Sequence, residues 1–316
     1  MIVAGLLFGY AALIGSATRL LRRPWTGRAP RLAIALWQLA LAIVVVSTTL
    51  GLLAVTVPVA ASNGLAALVH ACVAALRAGY RSPTSERLVF LLGLGLTAAL
   101  LARPGGCLAS EWWRALRDRR RHLDVLALLG RPNPRLGVTV LKHASPAAYC
   151  VPGRRGRIVL TTATLAALDD GQLVAVLRHE RAHLTGRHDL VLATARALGR
   201  AFPLPVFSTA VRELATLVEM LADDAADTPQ QRLTLATALV SLTAGEALTP
   251  AAALAAAVTA VLTRVRRLMQ PTSPLPRGWA IAAVTIGILV TAVPAMIAFA
   301  PAAVAAALPY CPVSAG

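Results

Sequence analysis

Charge is scarce in this 316-residue chain: 14% of its residues are charged and 57% are hydrophobic, with a mean hydropathy of +0.67. A single soluble globular domain, for which about a quarter of residues are charged, is excluded on that ground. Acidic residues are the scarcest, 14 Asp and Glu against 31 Lys and Arg, a net charge of +17. Such an excess suits nucleic acid, but no helix-turn-helix or aromatic-interleaved groove pattern accompanies it, so no direct nucleic-acid contact is expected. Cysteine is sparse as well: Cys72, Cys107, Cys150 and Cys311 form no C-x-x-C pair, which removes a cysteine zinc site and a disulfide framework. They read as small buried hydrophobes. No internal repeat is present, and the long apolar stretches carry almost no ionisable residues to mark a transport pathway.

Those apolar stretches run over about 2–18, 32–60, 88–102 and 279–308. A hydrocarbon core of about 30 Å needs roughly 20 helical residues. The first stretch lacks a basic residue before its apolar run and is followed by Arg19, Arg22 and Arg23, an order that fits an uncleaved anchor better than a signal peptide. The second has no charge from Leu32 to Ala60 and is the clearest span; the third is short, and the fourth is interrupted by Pro294 and Pro301. Arginines cluster at 19–31 and 103–121, the positive-inside pattern. With alternating spans the amino terminus lies outside, 19–31 inside, 61–87 outside and 103–278 inside. The expected localisation is therefore a multi-pass cell-membrane protein with its middle region in the cytoplasm, where Cys107 and Cys150 stay reduced. The basic clusters also suit anionic headgroups, which makes membrane lipid an expected partner. Residues 65–73, apolar apart from His70, fit an interfacial helix or a short re-entrant piece.

Trp112 and Trp113 next to Arg114 read as an interface anchor, beyond which a soluble region begins. Residues 137–161 hold three β-prone runs separated by Pro and Gly, with Pro152 to Gly156 as a hairpin turn, and predict a small antiparallel sheet. From Ala163 the period is helical. Asp169-Asp170 supply an N-cap for a helix with apolar positions at Leu173, Val174, Val176 and Leu177, and more helices are expected over about 190–202, 208–227, 229–244 and 250–269.

On the later turns of the capped helix lies His179-Glu180-Arg181-Ala182-His183. Histidines four apart on a helix share a face and can bind one Zn²⁺ at about 2.0–2.1 Å. Glu180 beside them is placed to act as a base, and zinc lowers the pKa of water it binds to about 7. A catalytic zinc has three protein ligands, so a third is required. Two candidates compete. Glu219 lies on a second predicted helix, with Asp223 one turn later to accept the spare N–H of a ligand histidine. Asp189 completes the compact spacing H-E-x-x-H-x-x-G-x-x-D, provided the helix breaks at Gly186. Glu219 is preferred for its helix–helix geometry and ready partner, in which case Asp189 orients a ligand histidine or ties the helix end. His188 reads as a surface or supporting histidine, His143 as a solvated loop residue, and His70 and His122 as lying outside the site. Ala147, Ala148, Tyr149, Cys150 and Val151 form the candidate edge strand that would hold substrate by main-chain pairing. No histidine follows His188 to stabilise an oxyanion; Tyr149 and Arg212 are the remaining candidates.

Arg157 to Thr161, Leu173 to His183, His188-Asp189 and Glu219 to Asp223 together make residues 140–270 resemble the BlaR/MecR-type membrane zinc metallopeptidases, as does the four-span arrangement. The resemblance implies His179, His183 and Glu219 as zinc ligands, Glu180 as the base, and Asp189 and Asp223 as supporting residues. It also implies antirepressor signalling, by cleavage of a dimeric winged-helix repressor; the expected activity is that of a zinc endopeptidase acting on such a repressor and on the chain itself. Two departures stand out. The sequence ends about eight residues after the last span, at Gly316, so no penicillin-binding domain and no direct β-lactam sensing are expected; and Arg181 stands where an apolar residue is more usual.

The expected fold is a mainly α membrane protein with about four transmembrane helices and an inserted α+β zincin-like (gluzincin) peptidase domain. The expected boundaries are 1–103 for three spans, 104–277 for a cytoplasmic peptidase domain holding one Zn²⁺, and 278–316 for the last span and tail. A quality-control or prenyl-type membrane metallopeptidase, and a non-catalytic zinc-binding membrane scaffold, are the alternatives.

Overall fold

A computed structural model describes residues 2–56, 84–153, 156–244, 251–271 and 275–307. Residues 61–83 of the expected outer loop, with His70 and Cys72, the Arg154-Arg155 pair of the expected turn, and the tail with Cys311 lie outside the described residues. In chain order the elements begin with helices α1 (Ile2–Ala17), α2 (Pro30–Thr56) and α3 (Thr84–Leu129). Strands β1 (Gly130–Asn133), β2 (Val138–Leu141), β3 (Ala148–Val151) and β4 (Arg157–Thr161) follow. Then come α4 (Thr162–Ala167), α5 (Asp170–Thr185), α6 (His188–Ala201), α7 (Pro205–Asp223), α8 (Pro229–Ala244), α9 (Ala251–Met269) and α10 (Arg277–Ala307). The chain divides into two compact units, one of Met1–Leu21, Ala35–Gly106 and Pro276–Gly316, the other of Arg22–Ile34 and Cys107–Leu275.

Three helical segments among the described residues, lying for the most part in the first unit, are long and apolar enough to cross a membrane: Ile2–Arg22, Pro30–Val55 and Gly278–Ala300. Tyr10 Oη donates to Val290 O at 2.8 Å, and Gly51 lets α2 approach the Phe8 ring, which an added Cβ would meet at 3.0 Å. Ile281, Ile288, Leu289 and Phe299 remain exposed on α10, an apolar surface that lipid rather than water would cover. The expected third span, 88–102, is not among these three. It forms the first part of α3, which continues without a break to Leu129, although Leu88, Leu91, Leu92 and Leu96 are exposed on it. The prolines expected to interrupt the last span do not: α10 is continuous past Pro294 and Pro301.

The second unit is built on a four-stranded sheet of order β1-β2-β4-β3. It is mixed and not wholly antiparallel as expected: β1–β2 and β3–β4 are antiparallel, but β2 and β4 are parallel. After β2 the chain crosses beyond the place β4 will take, so the β3–β4 hairpin inserts β4 between β2 and β3. The long connection that a parallel pair demands is here supplied by an edge strand instead of a helix. β1 was not expected, because Gly130-Arg-Pro-Asn133 has turn composition; as an edge strand it tolerates Pro132. β4 is central and buried on both faces. Ile158 and Leu160 pack with Val138 on Leu173 and Leu177 of α5, while Val159 packs with Val151 on Leu126 of α3. These two small cores fix α5 against the sheet and leave β3 at its rim.

Candidate metal centre

The helix that carries the histidines is set by its cap. Asp169 Oδ1 accepts from Gln172 N at 2.8 Å and Gln172 Oε1 accepts from Asp169 N at 3.1 Å, a reciprocal capping box that starts α5 at Asp170. From there His179 and His183 fall one turn apart on one face. The helix ends at Thr185, Arg187 takes a left-handed conformation (φ 47°), and α6 begins at His188.

α7 crosses this face and brings Glu219 to it. Glu219 Oε2 is 3.5 Å from His179 Nε2 and Oε1 is 3.6 Å from His183 Nε2. The two histidine Nε2 atoms are 3.1 Å apart, and one donor atom from each of the three residues lies within 4.8 Å of the others. Asp189, the competing candidate, is not in this group among the described residues. The break it required does occur at Gly186–Arg187, but it is His188 that turns back, buried, with Nδ1 at 3.0 Å from His183 Nδ1. Gly186 makes room for that ring: an added Cβ would stand 2.3 Å from His188 Nε2.

Asp223, fully buried one turn after Glu219, has Oδ1 at 3.1 Å from His179 Nδ1. Arg264 of α9 closes the arrangement, donating to Asp223 through Nε (2.9 Å) and Nη2 (2.6 Å) and reaching Glu219 Oε2 at 3.1 Å. Sequence reasoning missed this arginine by reading Arg264 to Arg267 as a basic helix end. The usable signal was the adjacent acids Asp223-Asp224 facing two arginines one turn apart, since Arg267 binds Asp224 as Arg264 binds Asp223.

The electrostatics follow from this packing. Burial works against protonation of His179, but hydrogen bonds to Asp223 and then Glu219 overcome it and raise its pKa to about 9. Burial, reinforced by its cationic neighbours, lowers His183 to about 4 despite the Glu219 carboxylate. Burial would raise Asp223, yet the hydrogen bonds from Arg264 and His179 lower it to about 2. Burial also opposes ionisation of Glu219, and His179 and Arg264 outweigh it, lowering its pKa. Glu180 is raised, by burial first and by the Glu219 charge. Its neighbour is the Cys150 thiol, which burial and the Glu180 carboxylate push up to about 12, so it stays protonated.

These residues fit a divalent cation of the zinc type. His179 Nδ1 lies 3.1 Å from Asp223 Oδ1, and the donor atoms of His179, His183 and Glu219 lie within 4.8 Å of one another, a set of two imidazoles and a carboxylate that suits such a cation. A cleft of about 360 Å³ opens over the group, lined by Ala148, Tyr149 and Cys150 of β3 together with Glu180 and Arg264. Ala147, the first residue of the expected edge, precedes β3 and is tied inward, its N–H donating to Thr161 and Thr164 side chains and its carbonyl accepting from Thr161 N. Val151 is buried in the core behind the sheet. Tyr149 Oη is bonded to His122 Nε2 at 2.8 Å, and Arg212 bonds Thr209 on the exposed side of α7, so neither oxyanion candidate directs its polar group at the cluster. His143 is exposed and bonds Ser145.

A site of this kind, a histidine pair and a glutamate over a buried second glutamate, defines the class of metallopeptidases. Residues 114–268 match the model of Peptidase family M48, which marks that segment as a metallopeptidase domain and supports a zinc family. No curated protein and no solved structure gives a significant match.

Proposed function

We propose that the protein is a membrane-embedded zinc endopeptidase that cleaves a cytoplasmic protein, in the first instance a winged-helix transcriptional repressor and also itself, within a BlaR/MecR-type signalling pathway. One observation carries the catalytic part: His179, His183 and Glu219 converge while Glu180, which belongs to no ligand set, is held buried beside them. A purely structural zinc site has no use for that fourth residue. In this reading His179, His183 and Glu219 hold the zinc, Asp223 and His188 orient the two imidazoles, and Asp189 ties the start of α6. Zinc, when bound, polarises the scissile carbonyl and makes water nucleophilic near neutral pH. Glu180 takes the proton of the attacking water and returns it to the leaving amine; its raised pKa brings it toward the operating pH. Ala148 to Cys150, at the free edge of the sheet, pair with the substrate backbone.

The basic loops and the exposed leucines of the first part of α3 support a fourth crossing and a peptidase domain on the cytoplasmic side. A quality-control or prenyl-type membrane peptidase is the second reading, favoured by the Glu219-x-x-x-Asp223 spacing. Co-expression with a candidate repressor tests the proposal: the wild type should cut it and Glu180→Gln should not. If Glu180→Gln preserves the signalling output, the protein is a scaffold.

A further inference from the structure

A second cavity, of about 740 Å³, lies in the second unit, bounded by the 22–28 segment and the ends of α7 and α9. Its walls hold Arg22, Arg23, Arg28, Arg232, Arg266 and Arg267 against only two acids, Asp224 and Asp227. Three of these arginines are spent on the fold. Arg22 pairs with Glu213, Arg232 donates to the Leu268 and Arg267 carbonyls, and Arg267 binds Gly27 O, Met220 O and Asp224. The other three, Arg23, Arg28 and Arg266, are exposed and make no side-chain bond among the described residues. Three unpaired guanidinium groups are thus directed to one concavity large enough for a polar headgroup. The location narrows the ligand. Residues 22–30 join Ile2–Arg22 and Pro30–Val55, two segments long and apolar enough to cross a membrane, so the chain ties this wall directly to two candidate spans.

We infer that this cavity binds the phosphate of an anionic phospholipid headgroup. Guanidinium forks bind phosphate oxygens in pairs, and three without protein acceptors supply both the charge and the geometry for it. A headgroup there would also clamp the α7 and α9 ends to the 22–28 segment, adding to the bridge that Arg267 already makes.

The full chain in nanodiscs of phosphatidylcholine alone, or with phosphatidylglycerol added, tests this by thermal melting, with native mass spectrometry of the detergent-purified protein to count retained lipid. The wild type should melt several degrees higher with phosphatidylglycerol and retain it in preference to phosphatidylcholine. The triple variant Arg23→Ala, Arg28→Ala, Arg266→Ala should lose both effects while melting as the wild type does in phosphatidylcholine. Should the triple variant not fold, Arg266→Glu alone serves, and retention of phosphatidylglycerol should fall about tenfold. Equal retention of the two lipids, or a variant that binds phosphatidylglycerol as the wild type does, overturns the assignment. So does a melting shift produced fully by inorganic phosphate in phosphatidylcholine discs, which would make this a free-phosphate site.

Discussion

The three converging residues are each held by a partner, His179 by Asp223, His183 by His188 and Glu219 by Arg264, and substitutions should separate the two roles. Glu180→Gln should leave metal content unchanged and lower proteolysis by about 10²–10⁴-fold, the usual contribution of a positioned acid–base group; a parallel loss of metal would assign Glu180 to the ligand set. Removing the buried partner of a charge is worse than removing the pair. Asp223→Ala therefore leaves Arg264 with Glu219 alone and His179 Nδ1 without its carboxylate, and should cost roughly 3 kcal/mol, read by chemical denaturation. The same carboxylate predicts an acid limb. Its folded pKa, about 2, lies below its ordinary value of 3.8, so its contribution is fully present above that value and is lost as pH falls toward 2. Asp223→Asn should be less stable at neutral pH and lose less on acidification across that window, as a melting series from pH 5 to pH 2.5 would show. His179, Glu180 and His183 were legible because four-residue spacing on a helix is a local property. Glu219 was reachable through its i+4 partner Asp223. Arg264 was not, because 41 residues separate it from Asp223 and only the packing of α9 on α7 joins them.

At the scale of elements, the two ends of α5 matter most. Asp169→Ala removes the cap and should cost about 1 kcal/mol without changing metal content. Gly186→Ala acts at the other end, where the added methyl displaces the His188 ring from His183; metal affinity should fall roughly 10–100-fold, measured by competition with a chelator, while stability changes little. The helices of the 163–269 stretch were legible from their periodicity and from Asp169. The sheet was only partly so. Its last three strands showed as apolar runs, but their order depends on where the β2–β3 connection crosses, which no local signal reports. β1 was hidden because Gly130 and Pro132 are turn residues everywhere except at a sheet edge.

For the whole molecule, three of the arginines that signal orientation in the sequence, Arg22, Arg23 and Arg28, line a cavity in the fold, since the loop between the first two apolar helices packs into the peptidase unit. Periodicity could not show this, because residues 22–34 and 107–275 meet only in three dimensions. The most direct test of the account is the zinc content of the detergent-purified full chain, wild type beside Glu219→Ala and Asp189→Ala, with cleavage of a co-expressed repressor followed in parallel. The account predicts about one zinc per chain in the wild type and in Asp189→Ala, as a single catalytic site requires, and loss of both metal and cleavage in Glu219→Ala. A wild type without zinc, or zinc that survives Glu219→Ala and is lost with Asp189→Ala, would contradict it.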